Sequence, residues 1–180
     1  MYSNITRLFD FPYYQLENYP QQNCFVYKEE KIWKSVSTKT YINTANKISR
    51  ALLKLGIKPN DKIAVITTNN NHKWHMLDVG TLQIGAVNVP LYPTFSEKDY
   101  AYILNHSDAI YCFVSDDELY QRVNNVIEKT QLKKVFTFEE IDTDYSWSSF
   151  LELGNSLETQ PKVEEIKKTI KAETLATVLY

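Results

Sequence analysis

Short segments of consecutive apolar residues constrain the fold of this chain more than any other feature. Residues 63–66 (IAVI) and 110–114 (IYCFV) are the clearest examples. A strand that is apolar at every position is covered on both faces, as in a parallel sheet. The sequence therefore predicts buried strands over residues 62–67, 86–89, 109–115, 134–138 and 175–180.

Segments with helical periodicity separate these strands. Residues 38–55 place one apolar residue at every third or fourth position, namely Tyr41, Ala45, Ile48, Leu52 and Leu55. Further helices are predicted over residues 12–19, 72–84, 116–130 and 147–153, from Ser96 onward, and, as a solvated helix, over 164–171. The alternation of strand and helix predicts an α/β fold, with a mostly parallel sheet flanked by helices.

Polar residues at the predicted helix starts support these boundaries. Ser37 and Asn71 are suited to cap the helices that come after them. Ser96 and Asp99 have the spacing of a capping box, in which each residue satisfies a backbone amide of the other. Asp10 is a further candidate cap, for the first helix.

Glycines and a charged turn mark other local features. Gly56 suits the left-handed position that ends a helix, and Gly80 would let a second backbone approach its helix. Residues 24–27 and 31–35 predict a hairpin with Glu29-Glu30 at its turn. We expect residues 1–154 to form an α/β subdomain, and residues 155–180 to form a linker, a short helix and a strand.

Composition excludes several classes of protein. The 180 residues have a net charge of −2 and no basic stripe, which argues against nucleic acid as a partner. The sequence lacks the apolar core of a secretory signal and the ~18-residue apolar run of a membrane span. Cys24 and Cys112 lie in apolar stretches, which predicts buried free thiols. We expect a soluble, cytoplasmic protein.

The candidate site lies in the segment GAVNVPLYPT, residues 85–94. The apolar strand over residues 86–89 is expected to stop at Pro90, and Pro93 stiffens the backbone of the residues around it. Ligands of open α/β sheets collect outside the carboxyl ends of the strands. We therefore predict that Leu91, Tyr92, Pro93 and Thr94 form a substrate-side loop, called the 91–94 loop from here on.

The rest of the sequence contains few residues that could bind phosphate or a metal ion or act in catalysis. The chain has only four glycines, and no glycine-rich phosphate loop comes after any predicted strand. His72 and His75 share a helix face but have no third ligand nearby in the sequence, and His106 is expected at a helix end. No metal site, cofactor-binding residue or catalytic residue is predicted within this chain.

The order of the motifs resembles a known family, the adenylate-forming enzymes, and specifically the N-terminal part of long-chain fatty acid–CoA ligases. The resemblance rests on segments that run nearly the length of the chain. They are WKSVS (33–37), ALLKLGI (51–57), DKIAVI (61–66), the asparagines at 69–71 with KW (73–74), GAVNVPLYPT (85–94), YILNHS (102–107), IYCFV (110–114) and TLATVLY (174–180).

The resemblance implies a reaction and its cofactors. In that family a carboxylic acid attacks Mg–ATP to give an acyl-adenylate, and coenzyme A then displaces AMP. The phosphate loop, the magnesium-associated acidic residue and the catalytic lysine of the family have no match in this sequence. The resemblance therefore implies a truncated N-terminal subdomain, inactive alone, of an enzyme that uses ATP, Mg²⁺, coenzyme A and a fatty acid.

Two alternatives remain open. A related ligase could act on an aryl, short-chain or amino acid, and a stand-alone α/β module could bind a partner without catalysis; a flavodoxin-like redox domain fits less well. We also expect the last strand to leave an apolar surface that favours self-association. Peripheral membrane contact of the complete enzyme is a further implication of a long-chain fatty acid substrate.

Overall fold

The computed structural model describes residues 5–141 and 144–180. Two strands form a hairpin and four form a parallel sheet: β1 (Phe25–Glu29), β2 (Ile32–Val36), β3 (Lys62–Ile66), β4 (Val87–Leu91), β5 (Ala109–Val114) and β6 (Lys134–Thr137). The α-helices in this part of the chain are α1 (Asp10–Asn18), α2 (Thr38–Lys54), α3 (His72–Leu82), α4 (Glu97–His106), α5 (Asp117–Asn124), α6 (Trp147–Glu152) and α7 (Gln160–Thr169).

The four-stranded sheet has the order β4-β3-β5-β6, and all its neighbours are parallel. Helices α3, α4 and α5 connect successive strands, so that every sheet connection is a helical crossover. The predicted α/β fold with a parallel sheet flanked by helices is confirmed. The hairpin β1–β2 is antiparallel and forms a separate small sheet.

Burial on both faces explains the consecutive apolar residues of the strands. In β3, Ile63 and Val65 belong to a cluster that includes residues of α2, α3 and α6. Ala64 and Ile66 belong to a second cluster, with residues of α4 and α5. Because side chains alternate between the two faces of a strand, a strand between two helical layers has no solvent-facing side, and its residues are mostly apolar.

The predicted helix ends are largely as the sequence indicated. The side chains of Ser37 and Asn71 accept hydrogen bonds from the first turns of α2 and α3. Ser96 and Asp99 form the expected capping box. Gly56 has a φ of 84°, and the amide of Ile57 donates back to Leu52 O at 3.0 Å, which closes α2 in a Schellman motif.

Two local predictions are wrong. Asp10 is the first residue of α1, and Phe9 occupies the cap position. The Asp10 carboxylate accepts from the Arg7 guanidinium at 2.7 Å and from the Arg7 amide at 2.9 Å. The hairpin turn lies at Glu30 and Lys31, not Glu29-Glu30, since these two residues have φ values of 47° and 70°. A two-residue hairpin turn with both φ angles positive matches the twist of its strands.

Strand β4 continues through Pro90 to Leu91, whereas the sequence predicted that it stops at Pro90. The amide of Asn88 donates outward, away from β3, to Ala176 O at 2.9 Å. Pro90 is two residues further along, so its missing N–H faces the same outer side. No hydrogen bond to β3 is lost, and proline is tolerated there as it is on edge strands.

The C-terminal part is more ordered than expected. Residues 155–163 were predicted to be linker-like, but a 3-10 turn at Leu157–Thr159 leads into α7, which begins at Gln160 with proline in its first turn. The strand predicted over 175–180 forms only one bridge, Asn88 with Thr177. The helix predicted over 116–130 ends at Asn124, and a 3-10 turn, Ile127–Lys129, comes after it.

Candidate functional site

The 91–94 loop lies at the carboxyl end of β4, at the sheet edge where ligands bind in open α/β folds. Leu91 is buried and ends the strand, while the Tyr92 side chain is 64% exposed. The Tyr92 ring meets the ring of Phe95 edge to face, with 5.6 Å between centroids. The loop therefore presents an aromatic surface on a buried apolar anchor.

Two side chains from neighbouring helices hold this loop through its backbone. The Tyr100 hydroxyl donates to Pro93 O at 3.0 Å and is 3.2 Å from Tyr92 O. Arg122 donates to Pro93 O at 2.9 Å and also to Phe95 O. Burial raises the pKa of Tyr100 from its ordinary 10 to about 12. These contacts give the loop a defined shape, as the two prolines suggested.

A polar groove of about 470 Å³ lies at the carboxyl ends of β3, β5 and β6, and no residue of the 91–94 loop lines it. Thr68, two residues past the end of β3, donates its amide to Ser115 Oγ at 3.0 Å. The hydroxyls of Ser115 and Thr68 both reach the Asp116 carboxylate, at 2.6 and 3.1 Å. Asp116 also caps α5 through the amide of Leu119. The carboxylate is thus satisfied within the fold and serves to join two strand ends.

Helix α3 begins at this groove. Lys73 donates to Phe138 O at 2.5 Å, and burial lowers the pKa of its ammonium group. The His72 ring stacks on Tyr27 with 3.9 Å between centroids, and burial lowers its pKa to about 4. His72 is therefore a neutral packing residue, and His75 stacks on Phe25 in the same way at 5.3 Å.

The described residues do not fit the phosphates of a nucleotide. Such a site needs glycine at a strand end, where the backbone approaches the phosphate. Gly56 and Gly85 end helices with positive φ, while Gly80 and Gly154 lie against other backbone segments. The four glycines are all used in helix ends or close packing.

Metal and thiol chemistry is also limited in the part of the chain that the structure describes. Residues 5–141 and 144–180 contain no group of three His, Cys, Asp or Glu side chains placed to hold a metal ion. Cys112 is buried, and its burial raises the pKa of the thiol, while Cys24 is half-buried near Gln15. None of the described helices is both long and apolar enough to cross a bilayer.

The sequence located the 91–94 loop but missed the residues that hold it. Tyr100 lies in the helix predicted after Ser96, but its sequence context gave its hydroxyl no role. Arg122 carried no signal because its contacts lie 27 and 29 residues away in sequence. His106 lies in the last turn of α4 as predicted, and its Nδ1 is 2.7 Å from the Tyr180 hydroxyl.

Comparison with known proteins finds a family model and a curated relative that each match most of this chain. A family model described as AMP-binding enzyme matches residues 13–180. The human long-chain-fatty-acid–CoA ligase ACSBG2 is 25% identical over 159 residues, which cover 85% of this chain and 24% of that protein. The chain thus spans about a quarter of the length of this relative.

Solved structures share the fold. The long-chain-fatty-acid–CoA ligase FadD1 from Archaeoglobus fulgidus superposes with a TM-score of 0.74 at 20% identity, covering 96% of this chain and 34% of that one. The anthranilate CoA ligase AuaEII, solved with anthranoyl-AMP, gives a TM-score of 0.62 at 16% identity, covering 93% and 28%.

Proposed function

Because this chain belongs to the AMP-binding enzyme family, we propose that it is part of an ATP-dependent ligase that activates a long-chain fatty acid and transfers it to coenzyme A. The observation that carries the proposal is the family match over residues 13–180, together with curated relatives named long-chain-fatty-acid–CoA ligases. The proposed reaction forms an acyl-adenylate and releases AMP.

The contribution of this chain is structural and substrate-facing. We place the 91–94 loop beside the fatty acid, because it combines an exposed aromatic ring with a backbone fixed by Tyr100 and Arg122. A fixed apolar loop can select an acid by shape, as most small-molecule sites do. In this proposal Leu91, Tyr92, Pro93 and Thr94 take no part in bond making.

ATP, Mg²⁺ and coenzyme A are the expected co-reactants, but their binding groups are assigned to family segments outside residues 1–180. None of the four glycines here lies where a phosphate cradle would need it. The 180-residue chain should therefore fold without catalysing fatty-acid-dependent ATP–pyrophosphate exchange. Measurable exchange by the purified chain would contradict this part of the proposal, because it would place the reactive groups within residues 1–180.

The activity itself is tested with a chimeric protein, in which residues 1–180 are fused to the remaining segments of a full-length relative. AMP release is measured with Mg–ATP, coenzyme A and a series of straight-chain acids. Release that requires both a long-chain acid and coenzyme A supports the proposal. If none of the acids in the series leads to AMP release, the proposal is contradicted. Replacement of Tyr92 by Ala should change the preferred chain length, with Tyr102→Ala, an equally exposed tyrosine on α4, as the control.

A second candidate is a ligase of the same family that acts on an aryl acid. The similarity to the anthranilate CoA ligase AuaEII favours it, since that likeness also covers 93% of this chain. Anthranilate and benzoate in the same assay separate the two candidates. AMP release with these acids but not with long-chain acids would select the aryl activity.

A further inference from the structure

A groove of about 550 Å³ lies between α1, the start of β1, and helices α2 and α3, away from the 91–94 loop. Its walls are mainly apolar and aromatic and include Phe11, Tyr19, Phe25 and Tyr41. Of the described residues that line it, Asp78 on α3 is the only charged one. The groove thus places one carboxylate among aromatic rings.

Asp78 has no cationic partner in the part of the chain that the structure describes. Its one hydrogen bond comes from the Asn88 side-chain amide, and none of the salt bridges involves it. Burial raises the pKa of Asp78 to about 6, against the smaller opposite effect of the Asn88 hydrogen bond. Buried carboxylates in proteins are normally paired with a cation, because desolvation of an unpaired charge is costly.

Asn88 adds a second unsatisfied acceptor. The residue is only 2% exposed, and its Oδ1 has no hydrogen-bond partner among the described residues. Buried side-chain acceptors are rarely left without a donor. The Asn88 amide therefore lies next to the Asp78 carboxylate with one acceptor unused on each residue. Asn88 does not itself line the groove, so the acceptor that the groove offers is the Asp78 carboxylate oxygen that Asn88 does not contact.

We propose that this groove receives an arginine side chain, presented by a polypeptide partner that is not a copy of residues 1–180. A guanidinium supplies several N–H donors in a planar fork, pairs with carboxylates and stacks on aromatic rings. The rim offers apolar contact for residues beside that arginine, since Leu8, Phe11 and Tyr19 are 56%, 56% and 62% exposed. An arginine within an aromatic pocket and an apolar rim is a common interface hot spot.

A second copy of this chain is a poor source of the arginine. The sequence has arginine only at positions 7, 50 and 122. Arg7 pairs with Asp10, Arg50 donates to Gly154 O at 2.8 Å, and Arg122 donates to Pro93 O. Each would have to leave contacts within its own fold to reach a neighbour. The partner is therefore a different polypeptide segment.

The test compares two acetylated, amidated tripeptides, Leu-Arg-Phe and its citrulline counterpart, which has nearly the same shape but no charge. Binding to the 180-residue chain is followed through amide resonances of residues around Asp78. We expect the arginine peptide to bind about tenfold more tightly than the citrulline peptide, as for other close charge pairs. Asp78→Asn should remove that preference, whereas Glu17→Gln, at an exposed carboxylate outside the groove, should preserve it.

Several results would overturn the proposal. These are equal affinity for the two peptides, no binding of the arginine peptide, or an Asp78→Asn variant that keeps the preference. Dimerisation of the unmodified chain that Asp78→Asn abolishes would assign the groove to a second copy instead. The amide spectrum that follows binding also checks that the Asp78→Asn variant keeps the fold of the parent.

Discussion

The Arg122 guanidinium lies 5.3 Å from the centroid of the Tyr100 ring, and both side chains end on the backbone carbonyl of Pro93. Two helices are thereby joined to the loop at the carboxyl end of β4. Both side chains donate to a backbone carbonyl, so they can hold the loop whatever side chains the loop carries.

Replacement of Arg122 by Gln should destabilise the chain by about 1–2 kcal/mol, because two charge-assisted hydrogen bonds to loop carbonyls are lost. Amide exchange of loop residues should become faster than that of β4. A lysine at position 122 can donate to one of the two carbonyls but lacks the planar, forked guanidinium. The free energy of unfolding of Arg122→Lys in urea should therefore lie between those of the parent chain and Arg122→Gln. Unchanged stability and exchange in Arg122→Gln would show that Tyr100 and Pro93 hold the loop without Arg122.

Gly80→Ala tests the close contact between α2 and α3. A Cβ at this position would lie 2.6 Å from Ile48 Cγ2 and 2.8 Å from Ala45 O, so we expect a loss of about 1–3 kcal/mol. Helix propensity alone predicts the opposite sign, a gain of about 1 kcal/mol. Thermal or urea unfolding decides between the two. Gly56→Ala, where nothing lies within 4 Å but φ is 84°, reports conformational strain without a clash.

Asp78→Asn should stabilise the isolated chain at neutral pH. Burial raises the pKa of Asp78 to about 6 from its ordinary 3.8, so the folded state holds this proton more tightly than the unfolded state. The carboxylate therefore costs stability above pH 6, by about 3 kcal/mol, and the cost disappears as pH falls toward 4.

The measurement for Asp78 is the difference in unfolding free energy between variant and parent at a series of pH values. It should be largest above pH 6 and approach zero near pH 4. Glu17→Gln, at an exposed carboxylate outside the groove, is the matched control. A flat difference for Asp78→Asn would mean that the carboxylate is better solvated than its surroundings indicate.

Ser96→Ala should cost about 1 kcal/mol, because the Ser96 hydroxyl accepts the amide of Asp99 at 3.2 Å and begins α4. The reciprocal bond, from the Ser96 amide to Asp99 Oδ2 at 3.1 Å, should survive the change. Ser96→Thr keeps the acceptor and is the matched control. Equal losses for the two variants in urea unfolding would argue against a capping effect.

Features set by neighbouring residues were predictable from the sequence. The caps at Ser37, Asn71 and Ser96 depend on contacts within three residues, and the strands are evident from consecutive apolar positions. The position of the 91–94 loop is indicated by two prolines at a strand end. Local chemistry and one packing rule therefore give the α/β fold and the position of the candidate site.

Features set by distant residues were not predictable. Whether β4 could continue through Pro90 depends on which strand lies beside it, and that is a property of the whole sheet. Arg122 meets the loop across 29 residues, and Asp78 is an ordinary helical aspartate until packing surrounds it with aromatic rings. The start of α7 was missed because polar residues near Pro161 resemble a linker.

Pro90 also limits what can be added to the sheet. On the outer side of β4, Asn88 forms one β-bridge with Thr177 of the C-terminal segment. Two residues further on, the proline offers no donor to a strand arriving from outside. A long stack of chains, edge against edge, would be interrupted at each copy of this residue, which protects the molecule against fibre growth along that side.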